Sequence, residues 1–186
     1  PVLTGTPTLT PTELTYGESL SKIKITGTMK DGDTVVEGTF SWQQPGNTIL
    51  DASTLGHDVG WKFTPKDGNA YTEVTGTATV KVDKAQQYGK VSMVFYIYGE
   101  TPSTPSLTDR TGDGSVTYYY TTTNSNSGGT KWENIQADTL NAGTYYMYAE
   151  LGETENYDSF TTACKMFWVM KAIPTCTKPT GLTAKY

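Results

Sequence analysis

An all-β fold follows from three features of this sequence: no helical apolar period, a strand-and-turn rhythm, and two ordered copies of the same short motifs. No run of about 12 residues or more keeps a helical spacing of apolar side chains. Hydrophobic residues make up only 35% of the chain, but 13 Tyr and abundant Thr take their place, and both types suit a half-buried pleated surface. Gly, Pro, Asn, Asp and Ser return about every 8–12 residues, the spacing of turns between short strands. With 186 residues the chain has room for one large domain or for two of about 90, each the size of a small β-sandwich.

The repeat decides between those two. Tyr16-Gly17-Glu18-Ser19 returns as Tyr98-Gly99-Glu100-Thr101, and Gly38-Thr39-Phe40-Ser41-Trp42 as Gly114-Ser115-Val116-Thr117-Tyr118. Asn69-Ala70-Tyr71 returns as Glu155-Asn156-Tyr157, and Lys84-Ala85 as Lys171-Ala172. The offsets are 82, 76, 86 and 87 residues, in one order throughout, so loop lengths differ between two copies of one module. Module one is expected over residues 1–85 and module two over 86–172. Pro179-Thr180-Gly181-Leu182-Thr183 echoes Pro11-Thr12-Glu13-Leu14-Thr15, so residues 173–186 are expected to be a linker and the first strand of a third copy.

Period-two alternation assigns faces. In module one Phe40 and Trp42, Trp61 and Phe63, and Ala78, Val80 and Val82 point inward, with turns at residues 30–32 and 67–69. In module two a hairpin loop at 124–129 joins strands at 116–122 and 130–135, and the last strand, 161–170, sends Phe167 and Val169 to the core. The spacing from Tyr157 to Lys171 exceeds that from Tyr71 to Lys84 by one residue, which leaves room for a bulge.

Leu140-Asn141-Ala142-Gly143-Thr144-Tyr145 resembles the corner before strand F of immunoglobulin-type sandwiches, where a Tyr hydroxyl closes the bend. That resemblance implies that Tyr145 and Met147 point inward and Tyr146 and Tyr148 outward. Together with the Tyr-Gly starts, the Gly-Thr-Phe-Ser-Trp strand, Phe63-Thr64-Pro65-Lys66-Asp67 leading to Tyr71, and the Lys-Ala ends, the whole chain resembles the immunoglobulin-like repeats of bacterial cell-surface proteins. It implies an all-β chain of two tandem immunoglobulin-like β-sandwich modules joined by a short linker. It also implies an extracellular stalk, spacer or adhesive role, with neighbouring repeat modules as partners.

Composition narrows the function classes. A net charge of −5 disfavours nucleic acid, whose phosphates call for clustered cations. The longest apolar runs, 91–98 and 166–170, are too short to cross a bilayer. No catalytic constellation is expected: the single histidine, His57, reads as a solvated loop residue, and Glu150, Glu153 and Glu155 as a solvated acidic turn. Asp109-Arg110-Thr111-Gly112-Asp113-Gly114 has two carboxylates at the wrong spacing for a calcium loop, and no Lys–Asn–acid trio for a covalent cross-link stands out. No cofactor or metal is expected. Cys164 and Cys176 are open to two readings, a bridge or two free thiols.

One feature points to binding. Aligned by Lys84 and Lys171, the outward residues Thr79, Lys81 and Asp83 of module one face Met166, Trp168 and Met170 of module two. With Tyr119, Tyr146 and Tyr148 on neighbouring strands, these side chains would form an aromatic outer face. Such a face suits a glycan, by stacking on sugar rings, or a host or surface protein. The rival reading is that a loop or an adjoining module covers it. A third reading makes the chain an accessory domain of a secreted hydrolase whose catalytic residues lie elsewhere.

Overall fold

The computed structural model describes residues 2–176, and among them there is no α-helix, only one short 3-10 turn (Leu20–Lys22). The expected third-copy motif beginning at Pro179 lies outside the described residues. The chain is all-β and divides into two compact units. Of the described residues, unit one comprises those up to 87 with 112–114 and 152–160, and unit two comprises 88–111, 115–151 and those from 161 on. The division at 87 falls two residues beyond the expected boundary at 85, and two later segments group with unit one.

The strands, in chain order, are β1 (Pro7–Thr10), β2 (Glu13–Thr15), β3 (Lys24–Gly27), β4 (Met29–Asp31), β5 (Thr34–Val36) and β6 (Gly38–Trp42). They continue with β7 (Ser53–Pro65), β8 (Val74–Asp83), β9 (Ala85–Gln86), β10 (Tyr88–Ser92), β11 (Tyr96–Ile97) and β12 (Ser106–Thr111). The last six are β13 (Val116–Thr121), β14 (Thr130–Lys131), β15 (Gly143–Leu151), β16 (Tyr157–Asp158), β17 (Phe160–Thr161) and β18 (Lys165–Met170).

In unit one, β1 pairs with β3, and a second sheet runs β2-β8-β7-β6 with β2 parallel to β8. Alternation along these strands carries the packing. Val80 and Val82 of β8 join Val59, Leu14, Leu20 and Ile23 in one buried cluster, against which Leu9 of β1 packs. Trp61 and Phe63 of β7 join Met29 and Val36 in another, with Ile25 of β3 and Phe40 and Trp42 of β6 against it. The apolar layer thus has β1 and β3 on one side and the four-stranded sheet on the other, an arrangement consistent with a β-sandwich. Trp61 lies opposite Gly76, where a Cβ would come within 2.5 Å of its ring, so this glycine makes room for the indole. The expected turns stand: β4 and β5 form a hairpin through Gly32 (φ 58°), and Asp67 Oδ1 accepts from Asn69 N and Ala70 N.

Unit two repeats the pairing plan. β10 pairs with β12, and the larger sheet runs β11-β18-β15-β13-β14 with β11 parallel to β18. The expected inward residues Met147, Phe167 and Val169 are buried. Tyr145 stacks on Phe167 at 5.7 Å between ring centroids, and its hydroxyl donates to Asn141 O at 2.9 Å, closing the bend before β15. The final strand is not continuous: β17 and β18 are separated at residues 162–164. There Thr162, fully buried, donates its N–H to Ala149 O, and its hydroxyl accepts from Ala149 N at 2.9 Å.

Replacing Tyr145 by Phe keeps the ring stack and removes one hydrogen bond. The expected cost is about 1 kcal/mol, read from the urea midpoint of the chain, and an unchanged midpoint would mean that the hydroxyl does not close the bend.

Candidate functional site

The outer face of the larger sheet in unit two is set by its register. Tyr146 lies opposite Met166, Thr144 opposite Trp168, Tyr119 opposite Tyr148, and Ile97 opposite Met170. Residues paired across a ladder share a face, so all six expected binding residues do lie on one side of the sheet. They are not equally open. Met166, Trp168 and Met170 are 41%, 47% and 41% exposed, and Tyr146 and Tyr119 are half-buried.

Tyr148 is 2% exposed, and so it cannot present its ring to a ligand as the alternation suggested. The hairpin loop after β13 lies over it. Gly129 N donates to the Tyr148 hydroxyl at 3.0 Å, and Asn126 Nδ2 reaches Thr162 O at 3.2 Å. Tyr119 stacks on Tyr148 at 5.2 Å with an 11° interplanar angle. Burial, with the Glu150 carboxylate beside it, raises the Tyr119 phenol above its usual range. The face is thus divided into a covered tyrosine stack and an open stripe along β18. Ile97, half-buried at the end of that stripe, is an apolar member the sequence reading missed; its signal was the Tyr-Gly-Glu repeat, which aligns Ile97 with Thr15. The stripe can offer a flat indole between two thioethers, a surface for apolar or ring-stacking contact.

The remaining candidates resolve into structural roles. His57 does not sit in a free loop but on β7, partly buried, with Nε2 2.7 Å from Asp51 O. In the ladders His57 opposes Val80 as Tyr145 opposes Phe167, so the imidazole occupies the corner position of unit one. Glu153 is no idle member of a solvated turn: it takes Lys84 Nζ at 2.6 Å, and this bond holds its carboxyl below the usual carboxylate range. Asp109 is paired with Lys90 at 2.7 Å. Among the described residues no group of three or more His, Cys, Asp or Glu is placed to hold a metal ion. Cys164 and Cys176 are both free, and burial pushes the Cys164 thiol up.

Compared with known proteins, the chain matches no family model and no curated relative.

Replacing Tyr148 by Phe strips Gly129 N of its acceptor. The expected result is faster amide exchange across residues 123–130 and a loss of about 1 kcal/mol, with β18 unaffected. Unchanged exchange at Gly129 would show that the loop is held by other contacts.

Proposed function

We propose that the chain is a non-catalytic segment of a bacterial extracellular surface protein. It would consist of two immunoglobulin-like β-sandwich modules acting as stalk, spacer or adhesive support. The observation that carries this reading is the shared pairing plan. In the larger sheet of each unit a short strand runs parallel to the last long strand, that strand pairs with the long strand before it, and a shorter strand follows, with β14 added beyond it in unit two. That order matches the A′-G-F-C order expected of an immunoglobulin-type sheet, and the Tyr145 hydroxyl at the bend before the F-like strand supports the same reading. Such modules need no site chemistry; their work is to hold length and to resist proteolysis in short, hydrogen-bonded strands.

Antibodies raised against the chain should label intact cells of the organism that makes it, and a membrane-impermeant amine reagent should modify its lysines on those cells. Labelling only after lysis would overturn the extracellular reading.

A second reading is favoured by the open stripe at Met166, Trp168 and Met170, a run of large apolar side chains where unit one has Thr79, Lys81 and Asp83. On this reading unit two binds a glycan or a protein surface through Trp168. Trp168→Ala should abolish retention on a glycan or protein array while leaving the unfolding transition in place. Equal retention by wild type and variant would leave the supporting role alone.

A further inference from the structure

Unit one contains a seam whose two halves come from distant parts of the sequence. One half is residues 84–87, the bend at Asp51-Ala52, and Tyr16. The other is the turn at residues 152–158. Asn156 is the centre. Its Oδ1 accepts Ala52 N at 2.8 Å, its Nδ2 donates to Asp51 Oδ1 at 3.0 Å, and its carbonyl accepts Ala85 N at 2.9 Å. Tyr157 continues the contact, pairing in parallel with Ala85 and meeting the Tyr16 ring edge-on at 5.4 Å. Lys84 donates to Glu153 and to Thr154 O, both at 2.6 Å. Gln87, 1% exposed, donates to Gly152 O and Asp158 O and accepts Gly114 N.

Unit two carries the first half of this seam again. Tyr98 N donates to Met170 O at 2.8 Å, as Tyr16 N does to Asp83 O at 2.8 Å. Glu100 N donates to Ile97 O as Glu18 N does to Thr15 O, and the glycines between have φ of 91° and 92°. Asn141-Ala142 stand at the bend where Asp51-Ala52 stand in unit one, each with its carbonyl taken by the corner side chain. The shallow concavity lined by residues 52–55 and 82–84 in unit one recurs at 142–144 and 168–171 in unit two. In unit one Glu153 and Asp158 wall it on one side; in unit two its lining comes only from the bend and the last strand with Lys171. The connector shows the consequence. Residues 84–87 are half-buried to buried apart from Gln86, whereas residues 171–176 are exposed throughout, and Tyr98 is 39% exposed.

We infer that the end of unit two built from Tyr98, Asn141-Ala142 and Lys171-Ala172 is a docking surface for another module of this fold. That module presents a turn of the 152–158 kind, with an acid for Lys171, an Asn side chain for the Ala142 amide, and a Tyr ring for Tyr98. The occupant is set by what the same residues hold in unit one: a polar turn with an Asn-Tyr pair. A small polar seam of this composition suits the joint between consecutive modules of one chain, where linkage supplies the effective concentration.

The inference rests on the modular reading of the chain, and its test can fail separately. The chain is lengthened by repeating residues 86–172 directly after Ala172. In the lengthened chain the Ala172 and first-copy Ala142 amides should exchange at least about tenfold more slowly than in the original. Asn156→Ala in the appended copy should return the Ala142 amide to the original rate, because it removes the side-chain acceptor and leaves the backbone carbonyl that takes Ala172. In the original chain Tyr16→Ala should lower the unfolding midpoint and Tyr98→Ala should lower it clearly less; in the lengthened chain both should lower it. Unchanged exchange of Ala172 beside a folded appended copy overturns the docking surface while leaving labelling of intact cells untouched. Equal losses from Tyr16→Ala and Tyr98→Ala in the original chain overturn it as well, and that comparison decides the matter if the appended copy does not fold.

Discussion

The register between the last two long strands of each unit is the constraint on which the rest depends. His57 opposite Val80 and Tyr145 opposite Phe167 fix which alternate side chains enter the core. A slip of one residue would turn Val80 and Val82, or Phe167 and Val169, out to water and bring Lys81 or Trp168 inward. In a chain so sparing of hydrophobic residues there is no reserve to tolerate that. The corner hydrogen bonds pin the same register from the other end. Each runs from the residue opposite an inward side chain of the last strand, Val80 or Phe167, to a backbone carbonyl upstream, at 2.7 Å for His57 and 2.9 Å for Tyr145. Two different side chains serve this position, the longer phenol spanning a shorter loop.

Much of this was legible in the sequence, because strand periodicity reports on faces. Alternation alone places Phe63, Val80, Val82, Phe167 and Val169 inward, and the corner motif places Tyr145. What alternation cannot report is whether an outward face stays open. Tyr148 points outward as its spacing requires, yet the loop after β13 closes over it through Gly129, a contact between residues with no shared pattern. His57 escapes a reading by pattern for a related reason: a lone histidine between small and polar neighbours carries no periodic signal, and its role appears only in the register opposite Val80. Glu153 and Asn156 are hidden by their composition. A run of acids and Asn reads as solvated turn, and nothing local tells that its partners lie at Asp51 and Lys84, about a hundred and about seventy residues earlier.

The seam in unit one is polar, and that choice has a physical logic. Its contacts are directional: one Asn side chain satisfies a backbone N–H and meets a carboxylate, and one buried Gln satisfies two carbonyls and an amide. A buried polar group costs far more unmade than it contributes when made, so such a seam tolerates few alternative partners. An apolar seam of equal size would hold as tightly but would select by shape alone.

The same logic bears on the difference between the two outer strands. Thr79, Lys81 and Asp83 leave β8 well hydrated, and Thr79 is held to Asp58 by a 2.9 Å hydrogen bond. Met166, Trp168 and Met170 leave β18 with a stripe whose exposure lowers solubility and offers nothing to the core. Met170 and Trp168 also line the concavity beside Lys171. A module arriving at the Tyr98 end would therefore meet apolar side chains that have no counterpart in unit one, where Asp83 and Lys81 stand. Two units that share a pairing plan can thus keep the same hydrogen bonds at their ends and still differ in what they favour there, because backbone geometry sets the polar contacts while the outward side chains of the last strand set the rest.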